Sequence, residues 1–121
     1  MAVKNVAVVS VPVSDQERAK SFYVETLGLK LMRDDTSVPG IRWIQVAPAE
    51  GGTQITLVTW FESMPAGSVR GLVLRMTDLQ ADYEALVAKG VEFEGPPTRQ
   101  PWGTETVLHD PDGNALVLQQ A

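Results

Sequence analysis

The chain has 121 residues, 44% of them hydrophobic and 21% charged, which is typical of one globular domain and excludes a disordered segment. Its net charge of −5 argues against a nucleic acid or an anionic membrane as partner, because both carry negative charge. The lack of cysteine excludes thiolate chemistry and is typical of a cytoplasmic protein, and no apolar run approaches the ~18 residues of a membrane span.

The first half of the chain predicts a strand, a helix and three further strands. The run "VAVVSVPV" is rich in β-branched residues and is interpreted as a first strand rather than as part of a signal peptide. The segment "SDQERAKSFYVETLG" predicts a helix with Ser14 or Asp15 as its N-cap and Gly28 as its terminator. Its apolar face is formed by Ala19, Phe22, Tyr23 and Leu27. The segments "LKLMRDD", "IRWIQVA" and "TQITLVTW" predict the three strands.

The second half predicts the same order of elements. "GLVLRM" is a strand, and "TDLQADYEALVAKG" is a helix capped by Thr77 or Asp78 and ended by Gly90. The apolar stripe of this helix comprises Leu79, Tyr83, Leu86 and Val87. "VEFEG", "TETVLHD" and "NALVLQQ" predict three more strands, and the Pro-rich segment "GPPTRQPWGT" is interpreted as a loop.

The two halves match at a nearly constant offset. Asp15 corresponds to Asp78 and Gly28 to Gly90, and the offset stays between 61 and 63 residues along the chain. This spacing indicates an internal duplication of a βαβββ unit. We predict module 1 at 1–62, a linker at 63–67 and module 2 at 68–121. The two modules are expected to pack as one domain over 1–121, because one alone would leave an apolar sheet face exposed.

With "SDQERAKSFYVETLGL" early and "DPDGNALVLQ" at the end, the duplicated pattern resembles the vicinal oxygen chelate superfamily. This group includes glyoxalase I, bleomycin resistance proteins and extradiol dioxygenases, and the resemblance covers nearly the whole chain. It implies an α+β fold in which two βαβββ modules form paired cup-shaped mixed sheets with the helices on the convex side. It also implies a ligand cavity, a homodimer and, in many members, a divalent metal that the substrate chelates.

The resemblance also implies where metal ligands would stand, in the first and last strands of each module. Counting from the matching motifs gives Val8 and Thr56 in module 1, and Gly71 and Val117 in module 2. Three of these side chains cannot bind a metal, and a neutral Thr is a poor ligand. The adjacent positions restore no ligand set; they are Ala7, Val9, Ile55, Leu57, Arg70, Leu72, Leu116 and Leu118. We therefore predict no metal and no cofactor, which argues against the metal-dependent activities of the family.

Strand alternation predicts which residues face a ligand. Residues with the parity of the four counted positions are Val6, Val8, Ser10, Gln54, Thr56, Val58, Gly71, Val73, Arg75, Ala115, Val117 and Gln119. The opposite parity should pack under the helices and includes Ile55, Leu57, Leu72, Leu74, Leu116 and Leu118.

From the ligand-facing set and the tryptophans we select candidate ligand-binding residues. They are Val8, Ser10, Trp43, Gln54, Thr56, Gly71, Arg75, Trp102, Val117 and Gln119. Arg75 either pairs with an anionic ligand or extends to solvent. Trp102 either covers the cavity or packs on a partner subunit.

The only histidine, His109, precedes the sequence "DPDGN". Asp110 is expected to cap a turn there, Pro111 to fix its φ, and Gly113 with Asn114 to supply the positive-φ positions. This pattern indicates a hairpin, and His109 is interpreted as a structural or surface residue. Glu105 and His109 are candidates for acid–base catalysis.

These observations favour a metal-independent small-molecule-binding protein of the glyoxalase/bleomycin resistance type, which sequesters its ligand in an apolar crevice. One alternative is a metal-independent enzyme of the same fold, a lyase or isomerase that uses an acid–base pair such as Glu105 and His109. More broadly, an enzyme with this sequence would be a lyase, an isomerase or a dioxygenase-like member of the superfamily. A further alternative is an interaction or regulatory protein whose cavity is filled by side chains. The expected location is the cytoplasm, and neither a nucleic acid nor a membrane is an expected partner.

Overall fold

Two units, Met1–Ala66 and Gly67–Ala121, make up the chain in a computed structural model that describes residues 1–121. Each unit combines a mixed β-sheet with one α-helix, as predicted for an α+β protein. Neither helix is long and apolar enough to cross a membrane.

The sheet of the first unit has the strand order β1-β4-β3-β2. Its strands are β1 (Val8–Pro12), β2 (Lys30–Asp35), β3 (Trp43–Ala47) and β4 (Gln54–Val58). β1 runs parallel to β4, while β3 is antiparallel to both of its neighbours. All four strands that were predicted for the first half are thus confirmed.

The helix of the first unit changes its winding half-way along. α1 (Gln16–Ser21) is followed by a π-helical turn, Phe22–Thr26, in which the Leu27 N–H donates to the Phe22 carbonyl at 2.9 Å. The sequence predicted one continuous α-helix, so the wider turn is a difference. Phe22 and Tyr23 in this turn are both buried, with ring centroids 5.2 Å apart.

The helix and the sheet of the first unit enclose an apolar core. Its strand residues are Val11, Ile44, Val46, Ile55 and Leu57, and Ala19, Phe22 and Tyr23 come from the helical segment. Gln16 holds the start of α1 to this sheet, since its Nε2 donates to the carbonyls of Arg42 at 2.7 Å and Leu57 at 2.9 Å.

The sheet of the second unit has the order β5-β9-β8-β6, with a short β7 also paired to β8. Its strands are β5 (Leu72–Met76), β6 (Glu92–Phe93), β7 (Thr98–Gln100), β8 (Gly103–His109) and β9 (Ala115–Gln120). We interpreted the Pro-rich segment "GPPTRQPWGT" as a loop, which was wrong, because it contains β7. Gly95 and the two prolines after it interrupt the edge strand, but beyond them Thr98 pairs with Glu105 and Gln100 with Gly103.

The helix α2 (Leu79–Ala88) covers one side of the second sheet. Leu79 and Leu86 are buried, and the Tyr83 ring meets Phe93 edge-on at 4.8 Å. Val87 was predicted to belong to the apolar stripe, but it is 46% exposed, so the stripe is narrower than predicted. Under the helix, Leu116 and Leu118 are buried, whereas Leu72 and Leu74 on the edge strand β5 are only half-buried.

The matched positions of the two halves have matched local structure. Asp15 and Asp78 are the N-caps of α1 and α2, so Ser14 and Thr77 are not. Gly28 and Gly90 follow the two helical segments with φ of 79° and 85°, the left-handed conformation that ends a helix at low cost only with glycine.

The turn before β9 differs from its prediction at one residue. Gly113 has the expected positive φ of 91°, but no residue other than glycine does, so Asn114 is not in that conformation. Asn114 is instead fully buried, and its side chain bonds Asp110 and the backbone of Val69.

Candidate ligand-binding faces

A row of polar side chains crosses the sheet face of the first unit that points away from the core. We call this surface face 1 and define it by Ser10, Trp43, Gln45, Gln54 and Thr56, which share one side of adjacent strands in register. Trp43 Nε1 donates to Gln45 Oε1 at 3.0 Å, and Gln45 Nε2 donates to Gln54 Oε1 at 2.6 Å. Thr56 Oγ1 also donates to Gln45 Oε1, at 3.4 Å. Face 1 therefore has a connected hydrogen-bond network across two strands.

An aromatic cluster borders this network. The Trp43 and Trp60 rings lie 5.5 Å apart with an angle of 33° between their planes, and Phe61 stands 6.0 Å from Trp60. The Arg33 guanidinium lies 5.2 Å from the centroid of the Trp43 ring. Both indoles are half-buried and Phe61 is exposed. The cluster offers flat aromatic surface beside amide groups, a combination that suits a planar ligand.

A charged network lies nearby on the first unit. Asp34 accepts hydrogen bonds from Arg42 Nη2 at 2.9 Å and from Lys20 Nζ at 2.8 Å. Arg42 also pairs with Glu17 at 2.8 Å. The hydrogen bonds from Arg42 and then Lys20 hold the pKa of Asp34 far below its usual range, and those from Asp34 and Glu17 raise the pKa of Arg42. These groups tie β2 and α1 to Arg42, the residue before β3, and none of them belongs to the aromatic cluster.

The second unit has a polar row on the corresponding side of its sheet. We call this surface face 2 and define it by Arg75, Gln119, Glu105 and the turn residue Trp102. Arg75 pairs in register with Gln119, and Gln119 with Glu105. Arg75 Nε donates to Gln119 Oε1 at 3.3 Å, and Trp102 Nε1 donates to Glu105 Oε1 at 2.5 Å. Trp102 is 67% exposed at the tip of the β7–β8 hairpin, so most of its ring has no partner within the unit.

An apolar row lies next to the polar row of face 2. Val73 pairs with Val117, and Val117 pairs with Val107 on the next strand. Val73 is exposed, and Val117 and Val107 are half-buried. This side of the second sheet therefore presents a band of apolar surface beside its hydrogen-bonding groups.

The two acid–base candidates are not brought together. Glu105 and His109 share one side of β8, but four residues of extended strand separate them by about 13 Å. Glu105 bonds Trp102, whereas His109 Nε2 lies 2.7 Å from Glu94 Oε2, and its Nδ1 lies 3.8 Å from Glu92 Oε1. Glu92 pairs with His109 in register and Glu94 follows the end of β6, and the sequence had not placed these carboxylates beside the histidine.

The four positions where the resemblance implies metal ligands do not provide a donor set. Val8 and Val117 present only hydrocarbon, and Gly71, with a φ of 78°, has no side chain. The Thr56 hydroxyl is buried and already bonded to Gln45. No group of three or more His, Asp or Glu side chains is arranged to hold a metal ion. These residues do not fit the divalent metal that the resemblance implies.

Several residues on or next to face 1 were not among the candidates selected from the sequence. Gln45, Trp60, Phe61 and Arg33 surround the predicted Trp43 and Gln54. For Gln45 a signal was available, because alternation along β3 places it on the same side as Trp43. Trp60 and Phe61 lie beyond the end of β4, where alternation gives no direction.

A family model described as the Glyoxalase/Bleomycin resistance protein/Dioxygenase superfamily matches residues 5–118, so the chain belongs to this superfamily. The predicted resemblance is therefore confirmed, and so is the fold of two modules with mixed sheets.

Individual relatives agree with this assignment along nearly their whole length. The chain is 51% identical to TnmS3, an antibiotic binding protein from Streptomyces sp. CB03234, with a TM-score of 0.93 and coverage of 99% of this chain and 98% of that one. A superfamily member from Sphaerobacter thermophilus DSM 20745 is 35% identical, with a TM-score of 0.92 and 98% coverage of both chains. The uncharacterized protein YetH of Bacillus subtilis (strain 168) is 34% identical over 121 residues, which cover 98% of this chain and 99% of YetH.

Proposed function

We propose that this chain is a metal-independent binding protein that sequesters a small aromatic molecule without changing it. The observation that carries the proposal is the half-buried Trp43–Trp60 pair beside the amides of face 1. Indole surface that is not covered by the core gains free energy when a planar apolar ligand stacks on it. The 51% identity to an antibiotic binding protein supports an antibiotic-like molecule as the ligand.

We propose candidate ligand contacts on each unit separately. On the first unit they are Val8, Ser10, Trp43, Gln54 and Thr56, and on the second unit Gly71, Arg75, Trp102, Val117 and Gln119. Most are apolar or neutral polar groups, which suits binding by stacking and hydrogen bonds more than acid–base chemistry. The separate partners of Glu105 and His109 give no support to the lyase or isomerase alternative.

The test is a calorimetric titration of the whole protein with a panel of planar aromatic antibiotics, with and without EDTA. We expect binding of at least one compound, with the same affinity in EDTA and with full recovery of the unaltered compound by chromatography and mass spectrometry. Binding lost in EDTA would overturn metal independence. A compound recovered in altered form would establish catalysis instead of sequestration.

A matched pair of variants locates the site. Trp43→Leu should weaken binding about tenfold, because it removes an aromatic stacking partner. Tyr83→Leu removes an aromatic ring that packs on Phe93 under α2 and should leave the affinity unchanged. Equal affinity of the Trp43→Leu variant and the wild type would show that face 1 is not the site, and the absence of binding by any compound would overturn the proposal.

We also propose that the protein works as a cytoplasmic homodimer. The outer edges of β1 and β5 carry no strand partner within their own units, and Val8 and Val73 on these edge strands are exposed. Edge strands with exposed apolar residues favour pairing with another chain. The cytoplasmic location is supported by the absence of cysteine.

A further inference from the structure

The hydrogen-bond network of face 1 has a fixed direction. It begins at the Trp43 indole, whose Nε1–H can only donate. Trp43 Nε1 lies 3.0 Å from Gln45, so Gln45 must turn its Oε1 toward the indole. The opposite orientation of this amide would set its NH₂ against the indole N–H and leave both donors without an acceptor.

The orientation of Gln45 then fixes that of Gln54. With its oxygen toward Trp43, Gln45 presents Nε2 to Gln54, and the contact of 2.6 Å requires an acceptor there. Gln54 therefore turns its Oε1 to Gln45 and its Nε2 away from the network. A single donor-only indole thus determines which end of the Gln54 amide remains available.

The hydrogen-bonding groups that remain unused in the network are mostly donors. Gln45 Oε1 accepts from both Trp43 and Thr56, which uses both of its lone pairs. Gln54 Nε2 donates to no protein acceptor and keeps both N–H groups, while Gln45 Nε2 keeps one. Gln54 Oε1 has one lone pair left, and the Thr56 oxygen is buried. A ligand next to these amides therefore meets N–H groups more than acceptors.

We infer that Gln54 is a specificity-determining residue that selects planar ligands with a hydrogen-bond acceptor oxygen, such as an aryl ketone. The ring system stacks on the Trp43–Trp60 cluster, and its carbonyl oxygen accepts from Gln54 Nε2. A ligand that offers only an N–H would face the Gln54 donors and leave them unpaired, which is unfavourable in a half-buried site. The inference rests on the proposed function, because it names the chemical class of ligand for the same face.

Three neutral bicyclic compounds of nearly equal size test the inference. 1-Indanone has a carbonyl acceptor, indole has an N–H donor and indane has neither. Their dissociation constants are measured by ¹⁵N-detected NMR titration of the whole protein, which follows the Trp43 indole N–H and the Gln54 side-chain amide. In the wild type, 1-indanone should bind about fivefold more tightly than indane, as one net hydrogen bond provides, and indole should gain no such advantage.

The substitution Gln54→Glu should reverse this order. A carboxylate at position 54 still accepts from Gln45 Nε2, so the network is kept, but it offers lone pairs and no N–H. Indole should then bind more tightly than indane, and 1-indanone should lose its advantage. Gln100→Glu on β7 of the second unit adds the same charge at a residue that is not part of face 1 and should keep the wild-type order.

The outcomes separate the inference from the proposed function. If the three compounds shift the Trp43 signal but bind wild type with equal affinity, the inference fails and the proposed function stands. If none of them binds, both fail. If Gln54→Glu does not fold, as judged by circular dichroism, Gln54→Met takes its place and should abolish the 1-indanone advantage. An advantage that persists in Gln54→Met would overturn the inference.

Discussion

Asn114 links two backbone segments of the second unit through one buried amide. Its Nδ2 donates to Asp110 Oδ2 at 2.8 Å, and its Oδ1 accepts from the Val69 N–H at 3.0 Å. Asp110 also accepts from the backbone N–H groups of Asp112 and Asn114 at 2.9 Å each. The sequence "DPDGN" therefore does more than turn the chain, because it fixes the segment that enters β5 against the turn before β9.

We predict that Asn114→Ala lowers the free energy of unfolding by about 2 to 4 kcal/mol, because it removes bonds to a buried carboxylate and to a backbone N–H. Asn114→Asp should be at least as damaging, since it brings a second negative charge onto Asp110. Urea unfolding followed by circular dichroism measures both, with Asn5→Ala at an exposed position as the control. A loss below about 0.5 kcal/mol in Asn114→Ala would contradict this role, because substitutions at ordinary surface positions have effects of that size.

Asp34 should make the protein lose stability as the pH falls into the acid range. Its pKa in the folded protein is lowered by the hydrogen bonds from Arg42 and Lys20, so folding favours its charged form. The resulting stabilisation is fully present above the ordinary Asp pKa of 3.8 and is lost as the pH falls below it toward the folded value. Because solvent screens these pairs, we expect the contribution to be about 1 kcal/mol.

The measurement is a comparison of unfolding free energies at several pH values between 2.5 and 6. Asp34→Asn should be less stable than wild type near pH 6, and the difference should shrink as the pH falls. Glu50→Gln removes one negative charge from an exposed turn and serves as the control. A difference that stays constant across this pH range would contradict the assignment.

At the scale of elements, the two helices begin in the same way. Asp15 accepts from the Arg18 N–H at 3.0 Å, and Asp78 accepts from the Ala81 N–H at 3.2 Å. We predict that Asp78→Ala lowers the unfolding free energy by about 1 kcal/mol, while Asp78→Asn has little effect because its side-chain oxygen can still accept. Urea unfolding checks both variants, and equal losses in the two would show that the charge of Asp78 matters rather than its role as a cap.

Some features of the elements could be predicted from neighbouring residues in the sequence, and others could not. Helix caps, left-handed glycines and alternating strands depend on neighbouring residues, so Asp15, Asp78, Gly28 and Gly90 could be placed from the sequence. The π-helical turn at Phe22 could not, because its segment FYVET contains no glycine or proline to mark a change of winding. β7 was missed because its pairing is supplied by β8, whereas its own segment is dominated by proline and glycine.

For the whole molecule, the same limit applies to the candidate site. Strand parity placed Ser10, Gln54 and Thr56 on one side of the first sheet, and the structure has them there. The direction of the hydrogen-bond network depends on side-chain rotamers and on contacts between strands, which no local pattern in the sequence specifies. The sequence therefore predicted which residues share one side of the sheet, but not which of them keep unused donors.

We predict that the whole chain assembles into a dimer through its edge strands. Val8 on β1 and Val73 on β5 are 42% and 47% exposed, and each belongs to a strand that has a partner on one edge only. An exposed apolar residue on such a strand favours association, and a lysine there opposes it.

Light scattering coupled to size exclusion should give a mass twice that of one chain for the wild type. Val8→Lys and Val73→Lys should shift it toward the single chain, whereas Val87→Lys, at a position 46% exposed on α2, should leave it unchanged. A wild-type mass of one chain would contradict the dimer, and an equal shift in all three variants would mean that added charge, rather than the strand edges, governs association.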